Sequence, residues 1–265
     1  MRLKGKVAIV IGAGQSPGEG IGNGRATVIR FMQEGAVVMA VDRDLASAEE
    51  TVKLAKKDGG TGVAFEADVT QEKTLAAMVG SARSQFGRID VLHYNVGLSI
   101  AGGDASPTEI TEEAFDRVTA INLRGCVMAV KHVLPVMRAQ RSGVILTISS
   151  LAAYEIYPYV TYKATKAAMI AFTQQVAIQN AQYGVRANCI LPGLMDTPMA
   201  VDTRARTGKP RAEVAAARDA KVPLRGKMGT AWDVANAALF LASDEANFIT
   251  GVALPVDGGA LVKIG

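Results

Sequence analysis

The sequence predicts an α/β fold in which a doubly wound parallel sheet of about seven strands carries helices on both faces. Three observations support this prediction. Short β-branched runs alternate with longer helical patterns, the strand runs are continuously apolar, and 265 residues are enough for one large domain. Such alternation indicates βαβ units, and continuously apolar strands are typical of a sheet covered on both sides. We therefore expect a single domain over residues 1–265.

The predicted elements alternate in order along the chain. Strands are expected at KVAIVI, AVVMAVD, GVAFEAD, IDVLHY, GVILTIS, VRANCIL and GVALPVD. Helices are expected in GRATVIRFMQEGA and SAEETVKLAKKDG, and near residues 71–86, 111–139, 160–182 and 231–242. The alternation fails at about residues 194–229, where Pro198, Pro210 and Pro223 interrupt any periodic pattern. Because a long irregular insert in a compact domain is usually functional, we predict a substrate lid there.

Composition argues against a membrane protein. Hydrophobic residues make up 49% and charged residues 20% of the chain, as in folded globular proteins. No apolar run approaches the ~18 residues of a membrane span. The run after the basic N-terminal residues reaches a glycine after five residues, which is too short for a signal peptide. We expect a cytoplasmic protein without a membrane partner.

Metal and nucleic-acid sites are not indicated either. Cys126 and Cys189 stand in apolar contexts, and His93 and His132 are isolated, so no metal site is predicted. The net charge of +4 comes from basic residues spread along the chain, which argues against a nucleic-acid partner. The one local excess, RARTGKPR at 204–211, would either attract an anionic substrate or solvate a loop.

A glycine-rich turn, GAGQSPGEGIGNG, follows the first strand and precedes a helix. Glycines let the backbone approach a pyrophosphate, which would lie at the helix N-terminus. Asp42 ends the second strand, 20 residues after Gly22, where a carboxylate can bind the adenosine ribose hydroxyls. That carboxylate would repel a 2′-phosphate, so NAD is favoured over NADP, although Arg43 would partly offset the repulsion. The alternative role for Asp42 is that of a turn or helix-capping acid.

Several separate motifs resemble, in order and spacing, those of the short-chain dehydrogenase/reductase family over essentially the whole chain. They are GAGQSPGEGIG after the first strand, ADV at 67–69, YNVG at 94–97, INL at 121–123, ISS at 148–150, Tyr162 with Lys166, PGLMDTP at 192–198 and VDGG at 256–259. The resemblance implies a Rossmann-type fold, a nicotinamide cofactor and oxidoreductase activity on a small molecule.

The resemblance also implies site residues. The catalytic set is Asn122, Ser150, Tyr162 and Lys166. The cofactor-binding set is Gly12, Gly20, Ile21, Gly22, Asp42, Arg43, Asp68, Val69, Asn95, Gly97, Tyr162, Lys166, Pro192, Gly193 and Thr197. Pro192 and Gly193 would close the floor under the nicotinamide, and Thr197 would bind its carboxamide.

The chain departs from the family pattern at three places. Ile11 replaces the usual threonine before the first glycine, and the turn holds about four extra residues, which predicts a differently shaped phosphate loop. Val96 replaces a smaller residue beside Asn95. Ser150 precedes Tyr162 by twelve residues, one fewer than the commonest family spacing, whereas Ser149 precedes it by thirteen. We prefer Ser150, with Ser149 as the alternative.

The segment YPYVTYKATK holds two overlapping tyrosine–lysine pairs, because Tyr159 precedes Lys163 by four residues and Tyr162 precedes Lys166 by four. Residues at this spacing share one face of a helix, so spacing alone does not choose. Pro158 suits the first turn of a helix, which would place Tyr159 at the frayed end and Tyr162 further in. Tyr162 also has the family's flanking pattern, and we predict that it acts with Lys166.

A free tyrosine has a pKa of about 10 and needs a nearby cation to act as a base near neutral pH. Lys166 and the oxidised nicotinamide would supply that charge, and Lys166 would also bind the nicotinamide ribose. Ser150 would hold the substrate oxygen while Tyr162 takes or gives the proton. Asn122, unusual inside a helix, would help to hold a relay water; the alternative is a polar residue satisfied by neighbouring backbone.

The substrate pocket is less well defined by the sequence. Tyr154, Tyr157 and Tyr159 follow the serine, and Leu194, Met195 and Met199 begin the lid, so the pocket wall is expected to be aromatic and apolar. The predicted substrate contacts are Ser150, Tyr154, Tyr159, Leu194 and Met199. They favour a hydrophobic or aromatic secondary alcohol, although aromatic residues are equally natural in a core or subunit contact. Family members are commonly tetramers, so a homo-oligomer is expected from the resemblance.

Three functions are compared. The preferred one is an NAD-dependent dehydrogenase of a secondary alcohol, working in the oxidative direction. The first alternative is an NADPH-dependent ketone or 3-oxoacyl reductase, in which Arg43 serves the 2′-phosphate. The second is a nucleotide-sensing protein without chemistry, which would have little need for the complete serine, tyrosine, lysine and asparagine set.

Overall fold

Seven parallel strands form the central sheet in a computed structural model that describes residues 1–57, 59–206 and 208–263. These strands are β1 (Val7–Ile11), β2 (Val37–Asp42), β3 (Thr61–Glu66), β4 (Val91–Tyr94), β5 (Gly143–Ile148), β6 (Val185–Pro192) and β9 (Ala253–Val256). Two short strands, β7 (Met195–Asp196) and β8 (Gly229–Thr230), lie outside this sheet. The sheet order is β3-β2-β1-β4-β5-β6-β9, while β7 and β8 pair separately. The predicted seven-stranded Rossmann-type sheet is confirmed.

Helices cover both faces of this sheet. They are α1 (Asn23–Gln33), α2 (Leu45–Lys56), α3 (Glu72–Phe86), α4 (Glu112–Thr119), α5 (Gly125–Gln140), α6 (Val160–Asn180), α7 (Thr203–Ala205), α8 (Arg211–Asp219) and α9 (Ala231–Ala242). Buried side chains of α1, α2 and α9 share one core with the sheet, and those of α3, α5 and α6 share the other.

The alternation of side chains along each strand supplies both cores. On β1, Ala8 and Val10 lie in the core beneath α1 and α9, whereas Ile9 and Ile11 lie in the core beneath α3, α5 and α6. Successive side chains of a strand point to opposite faces, so a strand buried on both sides must be apolar at every position. All five residues of β1 are buried, as this geometry requires.

The chain reverses its direction of winding between β1 and β4. From β1 the sheet grows outward to β2 and β3, and then restarts on the other side of β1 with β4. In doubly wound sheets, ligands bind beyond the carboxyl ends of the strands at this switch point. The candidate site is therefore expected where β1, β2 and β4 end.

The long helical region at residues 112–140 contains a π-helical stretch, Ala120–Arg124, between α4 and α5. Tyr94 inserts its hydroxyl there and donates a 2.6 Å hydrogen bond to the Ile121 carbonyl, and such an insertion interrupts the regular helical ladder. Glu112–Gln140 is apolar and long enough to pass as a membrane span by length and composition. Its buried residues, Cys126 and Val133 among them, pack on the sheet as part of the core.

The predicted lid at 194–229 is more regular than expected. It contains β7, a π-helical turn at Pro198–Asp202, α7, α8 and β8. Pro210 stands immediately before α8 rather than breaking a helix, because proline is tolerated where a helix begins. Thr207, within this segment and within 204–211, lies outside the described residues.

Candidate active site

The glycine-rich turn between β1 and α1 leaves the start of α1 open. Gly12 and Gly20 have φ of +80° and +82°, a left-handed backbone that favours glycine. Gly22 caps α1 without any side-chain hydrogen bond, and a Cβ built on Gly20 or Gly22 would meet nothing within 4 Å. An uncapped helix N-terminus facing open space is suited to a pyrophosphate.

Gln15, which sequence reasoning missed, braces this turn. Its side chain accepts a 3.0 Å hydrogen bond from the Gly22 N–H and donates one of 3.1 Å to the Gly20 carbonyl. Its own N–H donates to the Ser47 hydroxyl at 2.9 Å. Ile21 packs against the core beside α1. Gln15 lies among the extra residues of the turn, where no family motif points to it.

Asp42 stands at the end of β2 and faces the turn. Its Oδ2 accepts a 2.9 Å hydrogen bond from the Gly14 N–H, and its Oδ1 accepts one of 3.1 Å from the Asp44 N–H. A Cβ on Gly14 would lie 2.8 Å from Ser47 Oγ and 2.9 Å from Asp42 Oδ2, so only glycine fits there. Arg43 is exposed. The carboxylate therefore lies against the turn, while the guanidinium is on the surface.

Two other predicted cofactor segments lie at neighbouring strand ends. Beyond β3, Asp68 accepts hydrogen bonds from the N–H and hydroxyl of Thr70, both at 2.8 Å, and Val69 is buried. Beyond β4, Asn95 donates a 3.1 Å hydrogen bond to the Gly12 carbonyl, which ties the ends of β4 and β1 together. These contacts place both segments at the switch-point edge of the sheet.

Helix α6 presents Tyr162 near its beginning. The helix starts at Val160, and Tyr159 is its extended N-cap with φ −107° and ψ 135°. The prediction that Pro158 occupies the first helical turn was therefore wrong, because the chain is still extended one residue later. Asp104 caps the helix from outside by accepting hydrogen bonds from the N–H groups of Thr161 and Tyr162 at 2.9 and 2.8 Å.

The two lysines of the overlapping pairs have different partners. Lys166 is 2% exposed, and its ammonium donates to the Ile148 carbonyl at 2.7 Å and lies 5.6 Å from the centre of the Tyr162 ring. Lys163 instead donates to the Ala152 and Glu155 carbonyls. The structure joins Tyr162 with Lys166, since Lys163 is committed to backbone.

Gly97 lies beside the Lys166 ammonium and leaves room for it, because glycine has no Cβ. A Cβ on Gly97 would lie 3.3 Å from the Lys166 Nζ. The ammonium also donates a longer hydrogen bond, 3.4 Å, to the Val96 carbonyl. Burial lowers the pKa of Lys166 to about 8, so the ammonium form still predominates at neutral pH.

The two serines after β5 also have different partners. Ser149 is 2% exposed and donates to the Lys166 carbonyl at 2.7 Å, facing the core. Ser150 accepts from the Ala152 N–H at 3.1 Å, and its hydroxyl lowers the pKa of the Tyr162 phenol. Of the two candidates, the structure brings only Ser150 to the tyrosine.

Tyr162 is held mainly in its neutral form. Burial raises the pKa of Tyr162 to about 12, while the Ser150 hydrogen bond and the positive charge of Arg204 act in the opposite direction. An additional positive charge beside the phenol would lower this pKa further. The site therefore has a serine–tyrosine–lysine arrangement suited to moving a proton at a substrate oxygen.

Several known proteins are similar to this chain over most of its length. A family model described as enoyl-(acyl carrier protein) reductase matches residues 17–260. The 3-oxoacyl-[acyl-carrier-protein] reductase of Thermotoga maritima is 36% identical over 263 residues, covering 99% of this chain and 100% of that protein. L-fucose dehydrogenase of Mus musculus is 37% identical, covering 100% of this chain and 91% of that protein. A crystal structure of a Burkholderia xenovorans short-chain dehydrogenase/reductase matches with a TM-score of 0.94 at 40% identity, covering 100% of this chain and 99% of that one.

The chain belongs to the short-chain dehydrogenase/reductase family. Membership implies an oxidoreductase with a nicotinamide cofactor. The open start of α1 and the Asp42 carboxylate fit a dinucleotide, because they offer free space at a helix N-terminus and a ribose acceptor at the next strand end. Within the described residues, no cluster of three or more His, Cys, Asp or Glu could hold a metal ion.

In this short-chain dehydrogenase/reductase, Asn122 lies in the π-helical stretch and is fully buried. Its Oδ1 accepts from the Leu98 N–H at 2.7 Å, and its Nδ2 donates to the Leu98 carbonyl at 2.9 Å and to the Thr165 hydroxyl at 3.1 Å. The side chain therefore fastens the segment after β4 to α6. The relay water proposed beside Asn122 remains a prediction.

The predicted nicotinamide floor follows β6. Pro192 ends that strand, and the Gly193 N–H donates to the Val256 carbonyl at 2.9 Å. A Cβ on Gly193 would lie 2.8 Å from the Asp257 backbone, so the two strand ends approach closely there. Thr197 is buried and caps the following π-helical turn. These residues lie together where the lid begins.

The expected aromatic wall has Tyr157 at its centre. Tyr157 packs its ring 5.4 Å from that of Tyr162, and Tyr159 contacts Tyr157. Tyr154 and Met199 are 54% and 40% exposed. The carbonyl of Leu194 accepts the Gly229 N–H at the base of the predicted lid. The substrate contacts of these residues remain predictions.

Proposed function

We propose that this protein is an NAD-dependent dehydrogenase that converts a secondary alcohol to its ketone and that uses Tyr162 as the acid–base residue. The observation that carries this proposal is the placement of the buried Lys166 ammonium 5.6 Å from the centre of the Tyr162 ring, with Ser150 acting on the same phenol. These three groups lie at the carboxyl edge of the sheet, next to the dinucleotide turn. The substrate carbon and the cofactor can therefore be held together.

The chain's own residues handle the proton. Ser150 would donate to the substrate oxygen and fix its position. Tyr162 would take the hydroxyl proton during oxidation and return it during reduction. Lys166 would stabilise the phenolate as it forms, because its positive charge lies beside the ring. When bound, the nicotinamide accepts or supplies the hydride.

The preference for NAD rests on Asp42. Its carboxylate lies against Gly14 in the turn, where it would accept hydrogen bonds from ribose hydroxyls and repel a 2′-phosphate. The alternative is an NADPH-dependent ketone or 3-oxoacyl reductase. In that case exposed Arg43 would turn toward the 2′-phosphate, and the 3-oxoacyl relative in Thermotoga maritima favours testing it.

Other properties complete the proposal. The substrate's non-reacting part would be hydrophobic or aromatic, since Tyr154, Tyr159, Leu194 and Met199 are close to the site in sequence. A homotetramer in the cytoplasm, without nucleic-acid or membrane partners, is proposed from the family resemblance and the charge distribution. The helical faces at 112–140 and in α6 are the proposed contacts between subunits.

The test measures nicotinamide absorbance with a panel of secondary alcohols, with NAD and NADP run in parallel. We expect turnover with NAD, and a loss of about 100-fold or more in kcat for Tyr162→Phe. Tyr159→Phe is the matched control and should retain most activity. Turnover only with NADP would overturn the cofactor assignment. Cofactor binding without turnover of any alcohol would favour a nucleotide-sensing protein instead.

A further inference from the structure

Two arginines of the predicted lid lie near the tyrosines at the start of α6. Arg204 belongs to α7 and is partly buried, and its Nη1 donates to the Ala200 carbonyl at 2.7 Å. Arg218 lies in the last turn of α8 and is also partly buried, and its Nε contacts the Met228 sulfur at 3.3 Å. Helices α7 and α8 contact each other, and the charge of Arg204 acts on Arg218.

The arginines and the tyrosines form one cluster. The rings of Tyr157 and Tyr162 lie 5.4 Å apart. The charge of Arg204 acts on the Tyr162 phenol, and Arg218 lies near both Arg204 and Tyr157. Burial, followed by the positive charge of Arg204, lowers the pKa of Arg218 to about 10. Arg204 therefore lies near the Tyr162 phenol, and Arg218 lies near Arg204 and the neighbouring Tyr157 ring.

Arg218 is poorly satisfied by the protein itself. Within the described parts of the chain it forms no salt bridge, because the neighbouring carboxylate, Asp196, is held by Arg211 at 2.6 Å. A thioether sulfur is a weak acceptor for a guanidinium that carries five N–H donors. Placing two like charges together in a partly buried position is unfavourable unless an anion joins them.

Neighbouring basic residues have other partners. Arg206 donates to the Pro17 carbonyl at 2.9 Å, and Arg211 pairs with Asp196 and lies 3.6 Å from the Glu19 carboxylate. Lys209 is exposed and pairs with Glu213. Of the basic residues at 204–211, only Arg204 has a charge that acts on Tyr162. The basic residues at 204–211 other than Arg204 therefore make contacts on the surface or within the lid, whereas the charge of Arg204 acts on Tyr162.

We propose that the substrate carries an oxyanion (a carboxylate, phosphate or sulfonate), and that Arg204 and Arg218 bind this group while Ser150 and Tyr162 act on a secondary hydroxyl a few bonds away. This inference rests on the proposed dehydrogenase function and specifies its substrate class. Guanidinium groups suit such a site because their N–H donors match the geometry of oxyanions.

The arginines would also protect the proton transfer. An anion bound beside Tyr162 would by itself raise the pKa of the phenol and oppose proton removal from the alcohol. Arg204 and Arg218 offset that charge where it is bound. The apolar part of the substrate would then lie along Tyr157 and the start of the lid, between the hydroxyl and the anion.

The test compares charged and neutral alcohols of similar size. The pairs are 3-hydroxybutanoate with its methyl ester, 2-hydroxypropyl phosphate with 2-hydroxypropyl acetate, and 2-hydroxypropane-1-sulfonate with 2-hydroxypropane-1-sulfonamide. We expect at least one charged member to have a kcat/KM about tenfold or more above that of its neutral partner. The three pairs also distinguish carboxylate, phosphate and sulfonate as the source of the charge.

Variants show whether the arginines cause this preference. Arg204→Gln and Arg218→Gln should each raise KM for the charged substrate about tenfold or more, so that the ratio of kcat/KM between the charged and the neutral partner falls by about the same factor, and should leave KM for the cofactor unchanged. Lysine at either position should restore part of the loss. Arg225→Gln, at an exposed arginine of the same segment, is the control and should have no effect.

Calorimetric titration of the cofactor-loaded protein with malonate, inorganic phosphate and methanesulfonate gives a readout that needs no turnover. Binding that is lost in Arg204→Gln and Arg218→Gln would support the inference even if the alcohol panel fails. Equal kcat/KM for charged and neutral alcohols would overturn it and leave the dehydrogenase proposal intact. A raised KM for the cofactor alone would also overturn it, because the arginines would then serve the dinucleotide.

Discussion

Asp104 accepts a 2.8 Å hydrogen bond from the backbone N–H of Tyr162, although the two residues stand 58 positions apart in the chain. The same buried carboxylate accepts from the Thr161 N–H. Because free N–H groups at a helix start need acceptors, Asp104 fixes the beginning of α6. It therefore positions the backbone that carries Tyr162.

Removal of this cap should affect both stability and activity. Asp104→Ala should lower the free energy of unfolding by about 1–2 kcal/mol, since two capped N–H groups lose their acceptor, and should reduce kcat several-fold because Tyr162 is no longer held. Chemical denaturation and steady-state kinetics measure the two effects. Thr111→Ala removes the side chain that caps α4 and should cost similar stability with kcat unchanged. Equal kcat losses in both variants would contradict the positioning role.

The pH dependence should reflect Tyr162 and Lys166. Oxidation needs the phenolate, so kcat/KM for oxidation should rise with pH. Reduction needs the neutral phenol, so kcat/KM for reduction should fall as the pH rises. Because the pKa of Lys166 is lowered to about 8, its charge is lost above that pH and the rise in oxidation should level off. In Lys166→Arg the cation persists, and the rise should continue to higher pH.

Rate profiles in both directions between pH 6 and 10.5 measure these changes. Lys166→Met should lose most oxidation at every pH. Lys163→Met, which removes a lysine bonded only to backbone carbonyls in the described residues, should retain the wild-type profile shape. A profile in which Lys163→Met, rather than Lys166→Met, loses the rise would reverse the assignment of the two lysines.

Cofactor choice should depend on Asp42. Asp42→Ala removes the acceptor at the turn and the repulsion of a 2′-phosphate, so KM for NAD should rise about tenfold or more while use of NADP improves. Asp44→Ala is the control: Asp44 caps α2 through the Ser47 N–H, so it should lower stability and leave the NAD to NADP ratio unchanged. Unchanged NAD kinetics in Asp42→Ala would favour the NADPH-dependent alternative.

The extended phosphate turn is attached to the lid. The Glu19 N–H donates to Asp202 at 3.1 Å, and a Cβ on Gly18 would lie 2.6 Å from the Asp202 carboxyl carbon. Arg211 lies within 3.6 Å of both the Glu19 and Asp202 carboxylates. The residues of this turn therefore contact the predicted substrate lid.

Loss of this contact should increase the mobility of both the phosphate turn and the predicted lid. Asp202→Ala should raise KM for the cofactor several-fold and speed proteolytic cleavage within the lid, because the turn and the lid lose a shared carboxylate. Limited proteolysis with and without cofactor measures the second effect. Glu213→Ala, which removes an exposed pair with Lys209, should change neither property. Unchanged cleavage and KM in Asp202→Ala would mean that the contact carries no coupling.

The sequence by itself determined the sheet, the order of elements and the family. Continuous apolar strands, helical periodicity and glycine turns are local signals that can be read from short stretches of sequence. The strands are especially clear, because burial on both faces of a parallel sheet requires an apolar residue at every strand position. Separate motifs in register then indicated Asp42, Ser150, Tyr162 and Lys166. Local spacing did not separate Ser149 from Ser150, nor did it place the start of α6.

The tertiary structure decided what depends on contacts between distant segments. Ser149 faces the core, where its hydroxyl is bonded to the Lys166 carbonyl, and Tyr159 lies before the first residue of α6. Asp104, Arg204 and Arg218 reach the site from segments with no periodic relation to α6. Hydrogen bonds and charge interactions act through space, so a capping acid 58 residues away leaves no local pattern to read.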